Sequence, residues 1–300
     1  MARMRVLVTG GTGFVGRWAV ASLRRAGHEV FVLSRKHDGH AQTVQGNLLE
    51  QGCAEAVVAK LRPEVILHLG WCVEHGTFWH SEENLDWVAA TLRLAKAAAK
   101  HRVRRFVGVG TCFEYEWPEQ SDCKELSTPL KPTSLYAVSK DATRRILTDF
   151  LHLAKIEFAW ARLFYLFGLF EGPDRLVASI ARKLAAGQAA EMSSGFVVRD
   201  FIDARDAGAA LAALATASLT GPINIGSGES YSIADIARLL ARAAGSEAKL
   251  HIGALPDRPD EPPRIVAEIS RLKFELGFAP QKSTRTRLSE TYEWWKNRGT

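Results

Sequence analysis

The chain has 300 residues, 47% of them hydrophobic and 24% charged, with a formal net charge of +6. It is long enough to bury a sizeable core, and its mild positive balance is spread out with no Lys/Arg block, so no nucleic-acid partner is expected. No run of about 18 apolar residues is present and a strand starts almost at once, so neither a membrane span nor a signal peptide is expected and the location should be cytoplasmic.

Val6, Leu7 and Val8 form a short β-branched-rich run that reads as a buried parallel strand. It leads into Gly10, Gly13 and Gly16 and then into a helical apolar pattern (Val15, Trp18, Ala19, Leu23). Strand, glycine turn and helix in that order make a nucleotide-binding element. Gly10 permits the tight turn, Gly13 lets the backbone approach a pyrophosphate, and Gly16 lets the helix pack close to the strand. The amides at the helix start (Phe14, Val15, Gly16) and the helix dipole then face the phosphates.

Residues 29–33 form a second strand ending in Ser34-Arg35-Lys36, where the adenosine ribose would lie. An acidic residue there would accept from a 2′-hydroxyl and repel a 2′-phosphate. Ser34 with Arg35 and Lys36 welcomes the phosphate, which leans the cofactor toward NADP(H) with NAD(H) as the alternative; solvated surface cations are the plainer account. Val44 lies in a short third strand, and Gly46-Asn47-Leu48 falls at the adenine edge, where Asn47 either bonds the ring or caps its own turn. A helix over 50–60, a strand over 64–69, a long helix over 84–100 and a fifth strand over 104–110 follow. Alternating strands and helices give an α/β fold, a doubly wound parallel sheet with right-handed crossovers.

Tyr136-Ala-Val-Ser-Lys140 opens a helix running to about residue 154. Positions i and i+4 share a helix face, so Tyr136 and Lys140 project side by side. A phenol titrating at about 10 is a poor acid or base at neutral pH, and a nearby ammonium lowers that value. Thr111 ends the fifth strand, at the carboxyl edge where open α/β sheets bind ligands. Its hydroxyl can hold a carbonyl oxygen while Tyr136 exchanges a proton with it. The four cysteines (Cys53, Cys72, Cys112, Cys123) show neither C-x-x-C spacing nor a ligand pattern with His, so reduced thiols and no metal are expected.

Together these residues resemble the extended short-chain dehydrogenase/reductase family, in its nucleotide-sugar branch. The likeness covers nearly the whole chain. It rests on Thr9-Gly-Gly-Thr-Gly-Phe-Val-Gly16, His68-Leu69, Thr111 with Tyr115, Tyr136-x-x-x-Lys140, Arg199-Asp200-Phe-Ile-x-x-x-Asp206 and Asn224-Ile-Gly-Ser-Gly228. The resemblance implies a Rossmann-type dinucleotide domain over 1–164 and a smaller, interleaved α/β substrate domain over 165–300. It also implies proton transfer by Tyr136, ribose binding and tuning by Lys140, oxygen polarisation by Thr111, and cofactor contacts at Leu69 and Gly70. Arg199 matches the family's diphosphate-binding Arg, and Arg258 falls where a second one lies. Residues 71–80, with Trp71 and Glu74, follow the fourth strand and are expected to line the sugar pocket. Tyr165 stands where many epimerases carry Asn. Trp294-Trp295 reads as a packing anchor for the last helix.

The residues after Thr111 bear on the reaction. Family dehydratases place Asp-Glu there and decarboxylases a Glu; Cys112 and Phe113 offer neither. That leaves a 4-ketoreductase or a 4-epimerase. Glu114-Tyr115, similar to a Glu-Tyr pair in some 4-keto-6-deoxysugar reductases, and the Ser34-Arg35-Lys36 end favour reduction by NADPH. A 4-epimerase retaining NAD is the alternative, and a non-catalytic dinucleotide-binding protein a distant one. The resemblance also implies a homodimer through the 84–100 and 134–154 helices.

Overall fold

The computed structural model describes residues 3–36, 42–259 and 261–298. Its centre is a seven-stranded, wholly parallel sheet. The strands are β1 (Arg5–Thr9), β2 (Glu29–Ser34), β3 (Thr43–Gln45), β4 (Val65–His68), β5 (Arg105–Thr111), β6 (Glu157–Leu163) and an edge strand Gly221–Ile225. From one edge the order runs β3-β2-β1-β4-β5-β6 and then the edge strand. The order reverses direction at β1, and the crevice there, beyond the strands' carboxyl ends, is where such sheets bind ligands.

Both faces of the sheet are covered, which is why its strands are apolar at successive positions. Val6 and Val8 pack with α1 (Gly16–Arg25) and α6 (Ala204–Thr216), whereas Leu7 between them faces α2 (Cys53–Leu61), α3 (Glu83–Lys100) and α4 (Leu135–Leu153). α1 and α6 approach closely because residue 208 is Gly; a Cβ there would lie 2.7 Å from the Ala19 nitrogen. The expected strands and helices of the first half are present within a residue or three at each end.

The later chain builds a second apolar core from α5 (Leu176–Ala185), α7 (Ile233–Ala244) and α8 (Thr284–Lys296). It does not run apart from the first half, because α6 and the edge strand Gly221–Ile225 return to the central sheet. α7 starts on a Ser232/Asp235 capping box and stops at Gly245, whose φ of 60° supplies the left-handed turn. Short strands complete this half. Val198–Arg199 sits between Tyr231–Ser232 and Arg264–Ile265, and Tyr165–Phe167 pairs with Phe201–Asp203. No helix among the described residues is long and apolar enough to cross a membrane.

Candidate active site

The glycine turn follows β1 directly. Gly10 adopts φ 70°, and a Cβ on it would press 2.8 Å from both the Gly70 nitrogen and the Leu69 carbonyl carbon. The turn is thereby brought against the chain leaving β4. A Cβ on Gly16 would fall on the Gly10 carbonyl oxygen, so only glycine lets α1 start this close to the strand. α1 carries no side-chain cap and no acidic residue in its first turn. The Arg17 and Trp18 N–H groups already donate to the Gly13 and Val15 carbonyls, so the amides left for an anion are those of Phe14, Val15 and Gly16, and with the dipole this cradle fits a dinucleotide pyrophosphate. Phe14 is half-buried and Val15 buried against the main core, which leaves their backbone to face the turn.

His68, at the end of β4, ties this region together. Thr9 Oγ1 and His68 Nδ1 are 2.6 Å apart, and His68 Nε2 and Thr91 Oγ1 are 2.8 Å apart. Thr91 donates its proton to the Trp87 carbonyl, so it accepts from His68 Nε2, and Nδ1 accepts from Thr9. Burial pushes His68 down to about 3 and keeps it neutral. Thr9 then accepts the Gly70 N–H at 3.2 Å, which fixes the segment beside Gly10.

Farther along the ribose side, Ser34 Oγ accepts the Lys36 N–H at 3.3 Å, and Arg35 and Lys36 are exposed. Asn47 turns back on its own loop: its Oδ1 accepts the Leu49 N–H at 3.2 Å and its Nδ2 points to Glu50. The side chain thus serves the turn. The Leu48 side chain is buried in the core.

Thr111, Tyr136 and Lys140 converge. Ser134 caps α4 by accepting the Ala137 N–H, which sets the helix start and puts Tyr136 and Lys140 one turn apart at the end of β5. The Lys140 ammonium donates to the Val109 carbonyl at 2.8 Å. Stripped of water, it is pushed down to about 7, with Glu114 the opposing influence. The Tyr136 phenol, 8% exposed, is raised by burial, while the facing Thr111 hydroxyl and the Arg175 charge act to lower it.

The loop over 71–81 does not leave an open aromatic pocket. Trp71 lies over Lys140 and is held by its indole N–H, which donates to Asn84 Oδ1 at 2.8 Å. Phe78 meets the Tyr136 ring edge-on at 4.9 Å, and the Tyr136 N–H donates to the Trp79 carbonyl at 3.1 Å. Sugar-facing roles were expected of Trp71 and Glu74; here Trp71 is buried against the lysine and Glu74 is exposed. Two residues the sequence did not mark matter in this loop. Asn84 is fully buried and donates to the Phe78 and Ser81 carbonyls, and Arg175 reaches the Val73 carbonyl at 3.3 Å from the start of α5. Arg175 directly follows the Gly172-Pro173-Asp174 break, the one local cue to its place at the mouth of the site.

In the later half, Tyr165 packs between Phe113 and Phe201 beside Arg199. Arg199 is buried and pairs with Glu261 at 3.0 Å, whereas Arg258 is exposed. Glu114 and Tyr115 do not face the cleft: both are buried below it and bonded to Arg162. As a sign of ketoreduction this pair therefore carries no weight. Trp294 packs on Phe170 and Trp295 at the end of α8, an anchor as the sequence suggested.

Comparison with known proteins agrees with this architecture. The chain is 24% identical to a dTDP-glucose 4,6-dehydratase from Streptomyces niveus, over 98% of this chain and 93% of the relative. It is 23% identical to a UDP-glucose 4-epimerase from Bacillus subtilis, over 97% and 96%. Among solved structures, the Thermus thermophilus UDP-glucose 4-epimerase in complex with NAD superposes with a TM-score of 0.83 at 25% identity, covering 98% of this chain and 99% of that one. Residues 6–233 match the family model for NAD dependent epimerases and dehydratases. With that match spanning most of its length, and with the glycine turn, Thr111, Tyr136 and Lys140 gathered at one sheet edge, the chain belongs to the NAD dependent epimerase/dehydratase family, enzymes of the extended short-chain dehydrogenase/reductase type.

Proposed function

We propose that this enzyme carries out hydride chemistry at C4 of a nucleotide-activated sugar, as an NADPH-dependent 4-ketoreductase. The observation that carries the reading is the pairing of Tyr136 and Lys140 on one face of α4, against Thr111 at the end of β5, with no acid in the next two positions. Cys112 is buried and its thiol raised well above its ordinary value, and Phe113 packs on Trp79 and Trp117. Neither can promote loss of water. A nicotinamide dinucleotide, seated on the glycine turn and against Leu69 and Gly70, supplies the hydride when bound.

The chain's own part is proton transfer and positioning. Thr111 Oγ1 accepts the Phe113 N–H, which orients the hydroxyl toward Tyr136 and the sugar oxygen that the two would share. Tyr136 moves the proton at that oxygen, and Lys140 steadies the phenolate. Arg199 and Arg258 are assigned to the diphosphate, and Tyr165 to the sugar side beside Arg199. Leu85, Val138, Ile146 and Leu153 on α3 and α4 are exposed, and we place a homodimer contact on that face.

The preference for NADPH rests on Ser34, Arg35 and Lys36. A second reading, a 4-epimerase that keeps NAD, is favoured by the relatives, several of which are UDP-glucose 4-epimerases. Denaturing release of bound nucleotide, followed by NADPH and NADH titration of the emptied protein, separates the two. An empty protein that prefers NADPH and reduces a 4-keto-6-deoxy nucleotide sugar supports the ketoreductase. Retained NAD⁺ with no such preference, and interconversion of C4 epimers, moves the assignment to the epimerase. Binding of neither overturns both.

A further inference from the structure

Beneath the end of β5 lies a carboxylate that the reaction as drawn does not use. Glu114 is wholly buried. Its Oε1 accepts the Thr111 N–H at 3.0 Å, while the Thr111 hydroxyl caps the same short turn, Cys112–Glu114. The Arg162 Nε donates to Oε2 at 2.7 Å, and the Trp160 indole N–H lies 3.0 and 3.2 Å from the two oxygens. The strand is built to admit this group. A Cβ on Gly110 would overlap the Glu114 carboxylate and the Trp160 nitrogen, and one on Gly108 would lie 2.6 Å from the Trp160 ring.

The turn itself needs no charge. A Gln carbonyl could accept the Thr111 N–H, and burying a carboxylate with the Arg162 guanidinium carries a desolvation cost. The charge has a second target. Lys140 and Glu114 hold the same stretch of β5, one at the Val109 carbonyl and the other at the Thr111 N–H two residues on, and the Glu114 charge favours the buried ammonium. We propose that Glu114 is a positioning residue, which sets Thr111 against Tyr136 and supplies the buried counter-charge for Lys140. Its kinetic consequence rests on the function proposed above; its effect on Lys140 does not.

Other charges face these groups. Arg162 from β6 and Arg144 from α4 lie on Glu114, Arg144 being held in turn by Asp141. Neutral His68 from β4 faces Lys140, and Cys112 and Arg175 face Tyr136.

The test follows Lys140 by NMR in protein labelled with ¹³Cε-lysine, its resonance assigned by its loss in Lys140→Met. Glu114→Gln should lower the Lys140 midpoint by about one pH unit. An unmoved midpoint overturns the counter-charge. Turnover is read with dTDP-4-keto-6-deoxyglucose plus NADPH and with UDP-glucose plus NAD⁺, using Tyr136→Phe to show that the rate belongs to this site. In Glu114→Gln, kcat should fall about tenfold to a hundredfold with KM within about twofold. Glu114→Asp keeps the charge and shortens the reach, so it should keep the Lys140 midpoint and still lose kcat. Wild-type kcat in Glu114→Asp overturns the positioning role, whether or not the Gln variant folds. Turnover of neither probe by the wild type fails the proposed function and leaves the titration to decide on the counter-charge.

Discussion

The Lys140 ammonium sits 3.8 Å from the centroid of the Trp71 ring, and the Val109 carbonyl is its one hydrogen-bond acceptor among the described residues. Burial holds it near 7, against an ordinary 10.5. Between those values the unfolded chain keeps a proton that the folded protein has released, so stability rises with pH across that window. Each unit of displacement is worth about 1.4 kcal/mol. Lys140→Met should therefore be more stable than the wild type at pH 6, with the gap closing toward pH 10, while turnover is lost. Urea unfolding at both pH values checks this. A variant no more stable at pH 6 would mean that Val109 and Trp71 already satisfy the ammonium.

The glycine turn permits a sharper comparison. Gly16→Ala drives a methyl into the Gly10 carbonyl, whereas at Gly13 the nearest atom to a new Cβ is 3.2 Å away. The first should cost about 2 kcal/mol or more in stability and abolish dinucleotide binding. The second should fold as the wild type does and weaken binding only where the pyrophosphate approaches. Calorimetric titration with NADPH or NAD⁺, alongside melting curves, distinguishes them. Equal effects at the two positions would remove the steric account.

The turn, the sheet order and the Tyr136–Lys140 pair were legible because each is a short-range pattern: an apolar strand, glycines at fixed steps, an i,i+4 spacing. What was not legible depends on where a side chain turns. Asn47 looks the same in sequence whether or not it holds its own loop, and only the Leu49 and Glu50 contacts reveal that it does. Glu114-Tyr115 resembles a mark of ketoreduction, but Gly108 and Gly110 open a slot beside Trp160 into which Glu114 drops, while Tyr115 packs on Phe164 and donates to Asn224. That outcome needs β5 and β6 to be neighbours, which no local pattern encodes. The preference for NADP(H) was read from Ser34, Arg35 and Lys36, and exposure of the two cations at the strand end suits a phosphate and bulk water alike.

His68 makes the fold acid-sensitive. Held near 3 by burial, it stays neutral while the unfolded chain takes up a proton near 6.5. In the window between, the unfolded state binds more protons, so stability is lost as the pH falls from 6.5 toward 3. His68→Gln removes that dependence at the cost of the Thr9–His68–Thr91 chain. It should be less stable than the wild type at pH 7 and lose less on going to pH 4.5. Chemical unfolding at the two pH values measures the difference, and an equal acid loss in both proteins would clear His68.

Arg199 meets a competitor for the diphosphate assigned to it. Its Nη2 is held by Glu261 at 3.0 Å and its Nη1 by the Val198 carbonyl at 2.8 Å, while the buried Nε has no hydrogen-bond partner among the described residues. A diphosphate arriving here must displace the Glu261 carboxylate, and it offers the guanidinium a bidentate anion in exchange. Glu261→Gln keeps the shape and removes the competing charge. With UDP as the probe, binding should tighten by about tenfold, or about 1.4 kcal/mol, and the gain should vanish when Arg199→Met is added. Weaker binding in Glu261→Gln would show instead that the carboxylate aligns the guanidinium for its ligand. Tighter binding that survives Arg199→Met would place the diphosphate elsewhere, with exposed Arg258 the next residue to test.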